Sequence, residues 1–186
     1  MSIRSIIVIA AMLGMTAPGS AQQTDTQPDT QQADTDQDTV QADTITDEDA
    51  LRQLEQKFAD AFIAKDIDAI MALYNPYVLV YDVVPPRQYL GLANYRKDWE
   101  TYLGSIDGTP KFQIDNLAIT VEGNLGYSTS IQKVSGTDTK GQSFDFAFRV
   151  TDVYRKTNNG EWQIVHEHVS VPVNLENNTP DLSSKE

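Results

Sequence analysis

Two aspartates stand among apolar residues in positions where acid–base chemistry is possible. In the run Val78-Leu79-Val80-Tyr81-Asp82-Val83-Val84, successive strand residues face opposite sides, so Val78, Val80, Asp82 and Val84 share one face. Phe146, Phe148, Val150 and Asp152 share a face in the same way. If those rows point inward, each carboxyl loses water, which raises its pKa; if the two acids also meet, one of them holds a proton. Such a pair can divide labour, one acid acting as general base and the other donating a hydrogen bond to a developing oxyanion. The competing reading puts each acid at a wet rim of the sheet. Alternation alone does not choose between the two.

Other residues invite weaker readings. Tyr95, Trp99 and Tyr102 repeat at helical spacing and form either an aromatic ligand wall or ordinary core. His166 and His168 fall on one face of the last long strand with Trp162, Ile164 and Ser170, and Glu167 on the other. A metal site would need a third ligand, and the chain has two histidines and no cysteine. No metal and no cofactor is therefore expected, and the histidines read as structural hydrogen-bonding groups at a sheet end or a subunit interface. Arg149 is the base central to a strand, where it meets an anionic ligand or pairs with an acid such as Glu167. Serine-nucleophile, phosphate-loop and dinucleotide motifs are absent from the sequence, so those enzyme classes have no support.

The elements that must carry these residues follow from periodicity and capping. Thr46 can cap a helix with Asp49 three residues on, and Leu51, Leu54, Phe58, Ala61 and Phe62 then define its buried face. Asp66 can cap a second helix carrying Ile67, Ile70, Met71, Leu73 and Tyr74, ended by Asn75-Pro76. A third helix follows Gly91. Strands are expected over 78–84, 112–121, 125–134, 144–154 and 162–171. Phe112 and Ile114 lie on one parity and Leu117, Ile119 and Val121 on the other, which requires a bulge near Asp115-Asn116. Helices first and long antiparallel strands last give an α+β domain with a curved sheet wrapped around its helices.

Both ends of the chain read differently from this domain. Residues 1–21 have the pattern of a signal peptide: Arg4, an apolar run from Ile6 to Leu13, then small residues up to Ala21. Gly14, Thr16 and Pro18 break the run well short of the roughly 20 apolar residues that a membrane anchor needs. Export, periplasmic or secreted, is the expectation, with no membrane contact after cleavage. Residues 22–45 are dominated by Gln, Thr, Asp and Ala, without an aromatic residue, and read as a disordered acidic linker. The domain is expected over 46–174, and residues 175–186 as a disordered tail. A formal charge of −13, with Lys and Arg scattered, leaves no basic stripe for nucleic acid.

The run from Ala61 through Lys65-Asp66-Ile67-Asp68-Ala69-Ile70 to Tyr81-Asp82 resembles the opening of ketosteroid isomerases and SnoaL-like proteins. Arg149-Val150-Thr151-Asp152-Val153-Tyr154-Arg155-Lys156, then Gly160, Trp162 and Val165-His166-Glu167-His168-Val169-Ser170, resembles the end of SnoaL-like proteins. That ending is also similar to the association domain of calcium/calmodulin-dependent kinase. The resemblance implies the NTF2-like cone: three N-terminal helices packed into a strongly curved, mostly antiparallel sheet around a pocket. By position, Asp82 matches the isomerases' general base and Asp152 their protonated aspartate, a pair that the isomerase itself exemplifies. Phe58 stands where those enzymes carry an oxyanion-hole tyrosine. Loss of one such donor typically costs about 2.7 to 4 kcal/mol, which argues against steroid isomerisation by the same apparatus. Tyr74, Tyr81 and Tyr95 are the phenols that could replace it.

The expected pocket residues are Phe58, Tyr74, Tyr95, Trp99, Phe148, Arg149 and His168, around the catalytic candidates Asp82 and Asp152. The expected ligand is a small apolar molecule, with acid–base isomerase or cyclase activity as one outcome. The alternative is a non-catalytic module that forms a homodimer or larger homo-oligomer through its sheet face.

Overall fold

The computed structural model describes residues 45–183. The expected signal peptide and all but the last residue of the expected linker lie outside them. Helix α1 (Asp47–Ala64) opens as its sequence requires: Thr46 accepts from Asp49 N at 3.1 Å and donates to the Asp49 carboxylate at 2.6 Å. Lys65 closes it in the left-handed conformation, and Asp66 then caps the short α2 (Ile67–Ala72) through Ala69 N at 2.9 Å. Helix α3 (Leu92–Gly104) starts after Gly91, whose φ of 79° suits glycine. Among the described residues no helix is long and apolar enough to cross a membrane.

Six strands form the main sheet: β1 (Tyr74–Tyr81), β2 (Tyr89–Leu90), β3 (Ile106–Glu122), β4 (Leu125–Asp138), β5 (Ser143–Lys156) and β6 (Trp162–Ser170). Their order is β2-β1-β6-β5-β4-β3, and every pairing is antiparallel except β1 with β6. The helices pack on the sheet's inner face, where Leu51, Phe58 and Phe62 of α1 meet Tyr74, Val78, Val80, Val134, Tyr154 and Ile164. This is the α+β cone expected from the sequence.

Strand limits differ from expectation at both ends of β1, which stops at Tyr81 rather than Val84, and at the start of β3. β1 begins at Tyr74, and Pro76 falls in the irregular stretch between Tyr74 and Leu79, where its missing N–H breaks no regular ladder. β3 begins at Ile106, and Pro110 sits in a register shift on an edge strand, which tolerates it for the same reason. The bulge expected near Asp115-Asn116 is present as a shift between Asp115 and Ala118, with Asn116 at φ 54°.

The expectation of a disordered tail from 175 is corrected over the part described. Strands β7 (Val173–Asn174) and β8 (Thr179–Pro180) pair, Asp181 N donates to Pro172 O, and Ala147 N donates to Leu182 O at 3.0 Å. The cause is a vacancy in the sheet. Pairing of β5 with β6 ends at Arg149 and Ser170, so β5 beyond that point has β4 on one side only. Leu182 and Ser183 take the free side, with Ser183 bridging Phe146.

Candidate functional site

A second irregularity decides which acids face inward. Val153 is paired with His166 but Tyr154 with Ile164, so Val165 is an extra residue that switches the parity of β6. Trp162 and Ile164 point inward before it, and Glu167 points inward after it, 4% exposed. Sequence alternation had placed Glu167 on the opposite face, available to Arg149; the bulge corrects both points, since Arg149 is exposed. Ser128, Asp152, Glu167 and Val80 now form one row across β4, β5, β6 and β1. Glu55, on the buried face of α1, lies over the same row and is 3% exposed.

The result is a buried polar line built on three carboxyls. Glu55 accepts from the Tyr154 phenol and from Ser128 Oγ at 3.0 Å, and Ser128 and Tyr154 oxygens are 2.7 Å apart. Glu167 accepts from Tyr74 at 2.5 Å on one oxygen and from Tyr95 on the other. Asp152, 2% exposed, lies between these two glutamates within hydrogen-bonding reach of both. As a carboxylate it would leave Oδ1 without a partner; as an acid it donates to one of its neighbours. Burial and then the charges of Glu167 and Glu55 push its pKa well above the usual range, so Asp152 holds the proton. Burial also raises Glu55 against the pull of its Tyr154 and Ser128 hydrogen bonds. Glu167 is pushed up to about 7, burial outweighing the two phenols that favour its charged form.

Tyr95 connects this line to a partly open cavity of about 410 Å³ between α1, α3 and the sheet. Its hydroxyl donates to Glu167 and lies 3.3 Å from Asp82 Oδ2. A phenol has one proton to give, so the bond to Glu167 leaves the 3.3 Å contact with Asp82 the weaker of the two. Burial raises the Asp82 pKa, opposed mainly by its 2.6 Å hydrogen bond from Val83 N. Asp82 and Glu167 both line the cavity, whereas Asp152 sits one step behind Glu167. The cavity acids joined through the Tyr95 hydroxyl are therefore Asp82 and Glu167, and of these two Asp152 reaches Glu167.

The remaining candidates divide clearly. Phe58, Tyr95, Trp99 and Phe148 line the cavity, and Phe58 meets Trp99 edge-on at 5.6 Å. On α3, Tyr95, Asp98, Trp99 and Tyr102 present one helical face to it. Tyr74 is buried beneath the floor, bound to Glu167. Arg149 and His168 are exposed and do not line the cavity; His168 packs edge-on against Tyr81, 5.8 Å between centroids. His166 Nδ1 bonds Leu79 O at 2.8 Å, tying β6 to β1. Among the described residues no His, Cys, Asp or Glu group is arranged to hold a metal ion.

Sequence reasoning missed Glu55 and Glu167. Glu55 was legible, because it lies four residues after Leu51 and three before Phe58, on the face already assigned to the core. Glu167 was not, because its inward turn depends on the bulge at Val165.

A family model for the SnoaL-like domain matches residues 51–174. None of the curated proteins matches this chain. An NTF2-like protein of unknown function from Pseudomonas putida KT2440 superposes with a TM-score of 0.68 at 27% identity, over 75% of this chain and 96% of that one. An NTF2-like superfamily protein from Salmonella enterica serovar Typhimurium LT2 gives 0.62 at 20% identity, over 69% and 92%. A ketosteroid isomerase-like protein from Erwinia carotovora atroseptica SCRI1043 gives 0.58 at 16% identity, over 66% and 94%. With its cone, its cavity and a family match over most of its described length, the chain belongs to the SnoaL-like domain family.

Proposed function

We propose that this chain is an exported pocket protein, periplasmic or secreted, that binds a small, largely apolar molecule and moves a proton on it with Asp82 as the base. The observation that carries the reading is the Tyr95 hydroxyl, which touches two of the three acids lining the cavity, Asp82 and Glu167. The Val83 and Val84 amides both hold Asp82 Oδ1, which leaves Oδ2, loosely approached by the Tyr95 hydroxyl at 3.3 Å, to take a ligand proton. When Glu167 carries a proton it no longer needs the Tyr95 hydrogen bond, which frees the Tyr95 hydroxyl to donate to a developing enolate, the task that Phe58 cannot perform. Asp152 and Glu55 hold Glu167 in place and are positioning residues. Aromatic walls lower the local polarity, which strengthens each of these interactions. Export rests on the N-terminal pattern of charge, apolar run and small residues.

The test is exchange of α-protons for deuterium on an apolar cyclic ketone such as 2-tetralone, followed by NMR. The parental protein is expected to accelerate exchange, and Asp82→Asn to abolish that acceleration while its circular dichroism and melting stay parental. No acceleration by the parental protein, or a parental rate in the variant, would overturn the catalytic reading.

The outer sheet face favours a second reading, assembly of a homodimer or larger homo-oligomer. Tyr81 on β1 and Tyr127 on β4 are exposed there, and no described helix packs against that face. Sedimentation of the purified chain decides it: a monomer at micromolar concentration would remove the assembly role.

A further inference from the structure

The cavity's charges are of one sign. Asp82, Asp98 and Glu167 line it, and no described Lys, Arg or His does. Three of its lining residues, Tyr102, Ser105 and Phe146, also line a neighbouring cavity of about 410 Å³, whose ionisable groups are Asp138 and Asp145, again without a described base. Across both spaces an incoming anion would meet acids and no counter-charge. Arg149, the sequence candidate for an anionic ligand, is exposed outside the cavity.

The walls between these acids are aromatic. Trp99 stands at the centre, with ring centroids of Phe58, Phe62, Tyr95 and Tyr102 between 5.6 and 6.1 Å from its own. Aromatic faces carry negative potential and attract organic cations, best where water is excluded and Trp contributes. Asp98 follows Tyr95 by three residues and precedes Trp99 by one, so α3 presents carboxylate and ring faces together.

We propose that the ligand is a small organic cation, an amine or quaternary ammonium group on an apolar body, with its charged nitrogen toward Asp82, Asp98 and Glu167 and its body among the aromatic walls. The proposal rests on the reading of this cavity as the ligand site, and adds the charge of the ligand to it. Two further features support it. Asp82 and Glu167 are raised by burial and also by repulsion from neighbouring acids, a cost that an enclosed cation removes. A chain of net charge −13 also draws cations toward itself and repels anions.

Three probes of one shape separate the possibilities: (2-naphthylmethyl)trimethylammonium, its uncharged carbon isostere 2-neopentylnaphthalene, and the anion 2-naphthylmethanesulfonate. Affinities are measured on the full chain by calorimetry and by fluorescence of Trp99, which lines the cavity. The cation is expected to bind at least about tenfold tighter than the neutral isostere, and the sulfonate not at all. Asp98→Asn and Asp82→Asn, each first verified as folded by circular dichroism, are expected to lower the cation-to-neutral ratio by about fivefold. A ratio near one, a ratio unchanged by both substitutions, or sulfonate competition would overturn the cationic ligand while leaving an apolar pocket in place. If none of the three probes binds, the reading of the cavity as a ligand site fails and this proposal falls with it.

Discussion

Asp152 lies directly opposite Glu167 in the β5–β6 ladder, so two carboxyls occupy one cross-strand pair in the interior of the domain. Facing side chains in such a pair have Cβ atoms about 4.5–5.5 Å apart, and two ionised acids there would repel without water to screen them. The proton on Asp152 turns repulsion into a hydrogen bond. Asp152→Asn keeps a neutral donor in the same volume and is expected to change stability by less than about 1 kcal/mol. Asp152→Leu has the volume without the donor and should cost about 1–3 kcal/mol by leaving a buried glutamate one donor short. Urea unfolding at pH 7 measures both. Equal losses for the two variants would mean that Asp152 contributes shape and not a proton.

The same acids give stability a defined pH dependence. Glu167 has an ordinary value of 4.5 and is pushed up to about 7 in the fold, so the folded state holds a proton that the unfolded chain has released between those values. The contribution is fully present below about pH 4.5 and is lost as pH rises through 7, with Asp152 and Glu55 shifted in the same direction. Stability should therefore fall from pH 4.5 to pH 7, by an amount on the order of 3 kcal/mol from Glu167 alone. Glu167→Gln, neutral throughout, is expected to flatten that slope. Chemical melts at half-unit intervals check it, and a slope unchanged by the substitution would assign the pH dependence elsewhere.

How far the sequence anticipates this arrangement depends on whether local pattern carries the information. The caps at Thr46 and Asp66, the apolar face of α1 and the bulge after Asp115 are properties of neighbouring residues, and all are found in place. Asp82 and Asp152 stand out for the same reason, as acids on apolar rows. What neighbours cannot encode is the extra residue at Val165, because Val165 and His166 fit either parity until β5 is laid beside them. That single step turns Glu167 inward and makes it, rather than Asp152, the acid joined to Asp82 through the Tyr95 hydroxyl. The order of residues 175–183 is non-local in the same sense, since it depends on the free side of β5 at Phe146 and Ala147.

Tyr74 and Tyr95 donate to different oxygens of Glu167 and meet edge-on, 5.6 Å between centroids. Each phenol holds the glutamate against the burial that raises its pKa. Tyr74→Phe and Tyr95→Phe should each cost about 1–3 kcal/mol at pH 7, and each should move the pH at which stability is lost upward. Tyr95→Phe should also disturb Asp82, which Tyr74 does not touch. The double variant is expected to cost less than the sum of the singles, because Glu167 left with one donor or none settles as the neutral acid. A double-mutant cycle in urea measures the coupling, and strict additivity would show that the two phenols act independently of the glutamate between them.

Gly126 packs directly against Leu51 of α1. A Cβ built there would lie 2.8 Å from Leu51 Cδ1 and 3.1 Å from Thr120 O. The first contact is a side-chain end that can turn aside, but Leu51 is fully buried in the core and its rotation would disturb the helix that carries Glu55 and Phe58. The second is backbone of the paired strand β3 and cannot move without straining the ladder. Gly126→Ala is therefore expected to destabilise by about 1–3 kcal/mol through overpacking, although alanine usually suits a strand better than glycine. Leu51→Val in the same chain removes the first clash and should recover part of the loss, as read by thermal melts of the single and double variants. A double variant less stable than both singles by their full sum would place the strain at Thr120 alone, and leave α1 free of it.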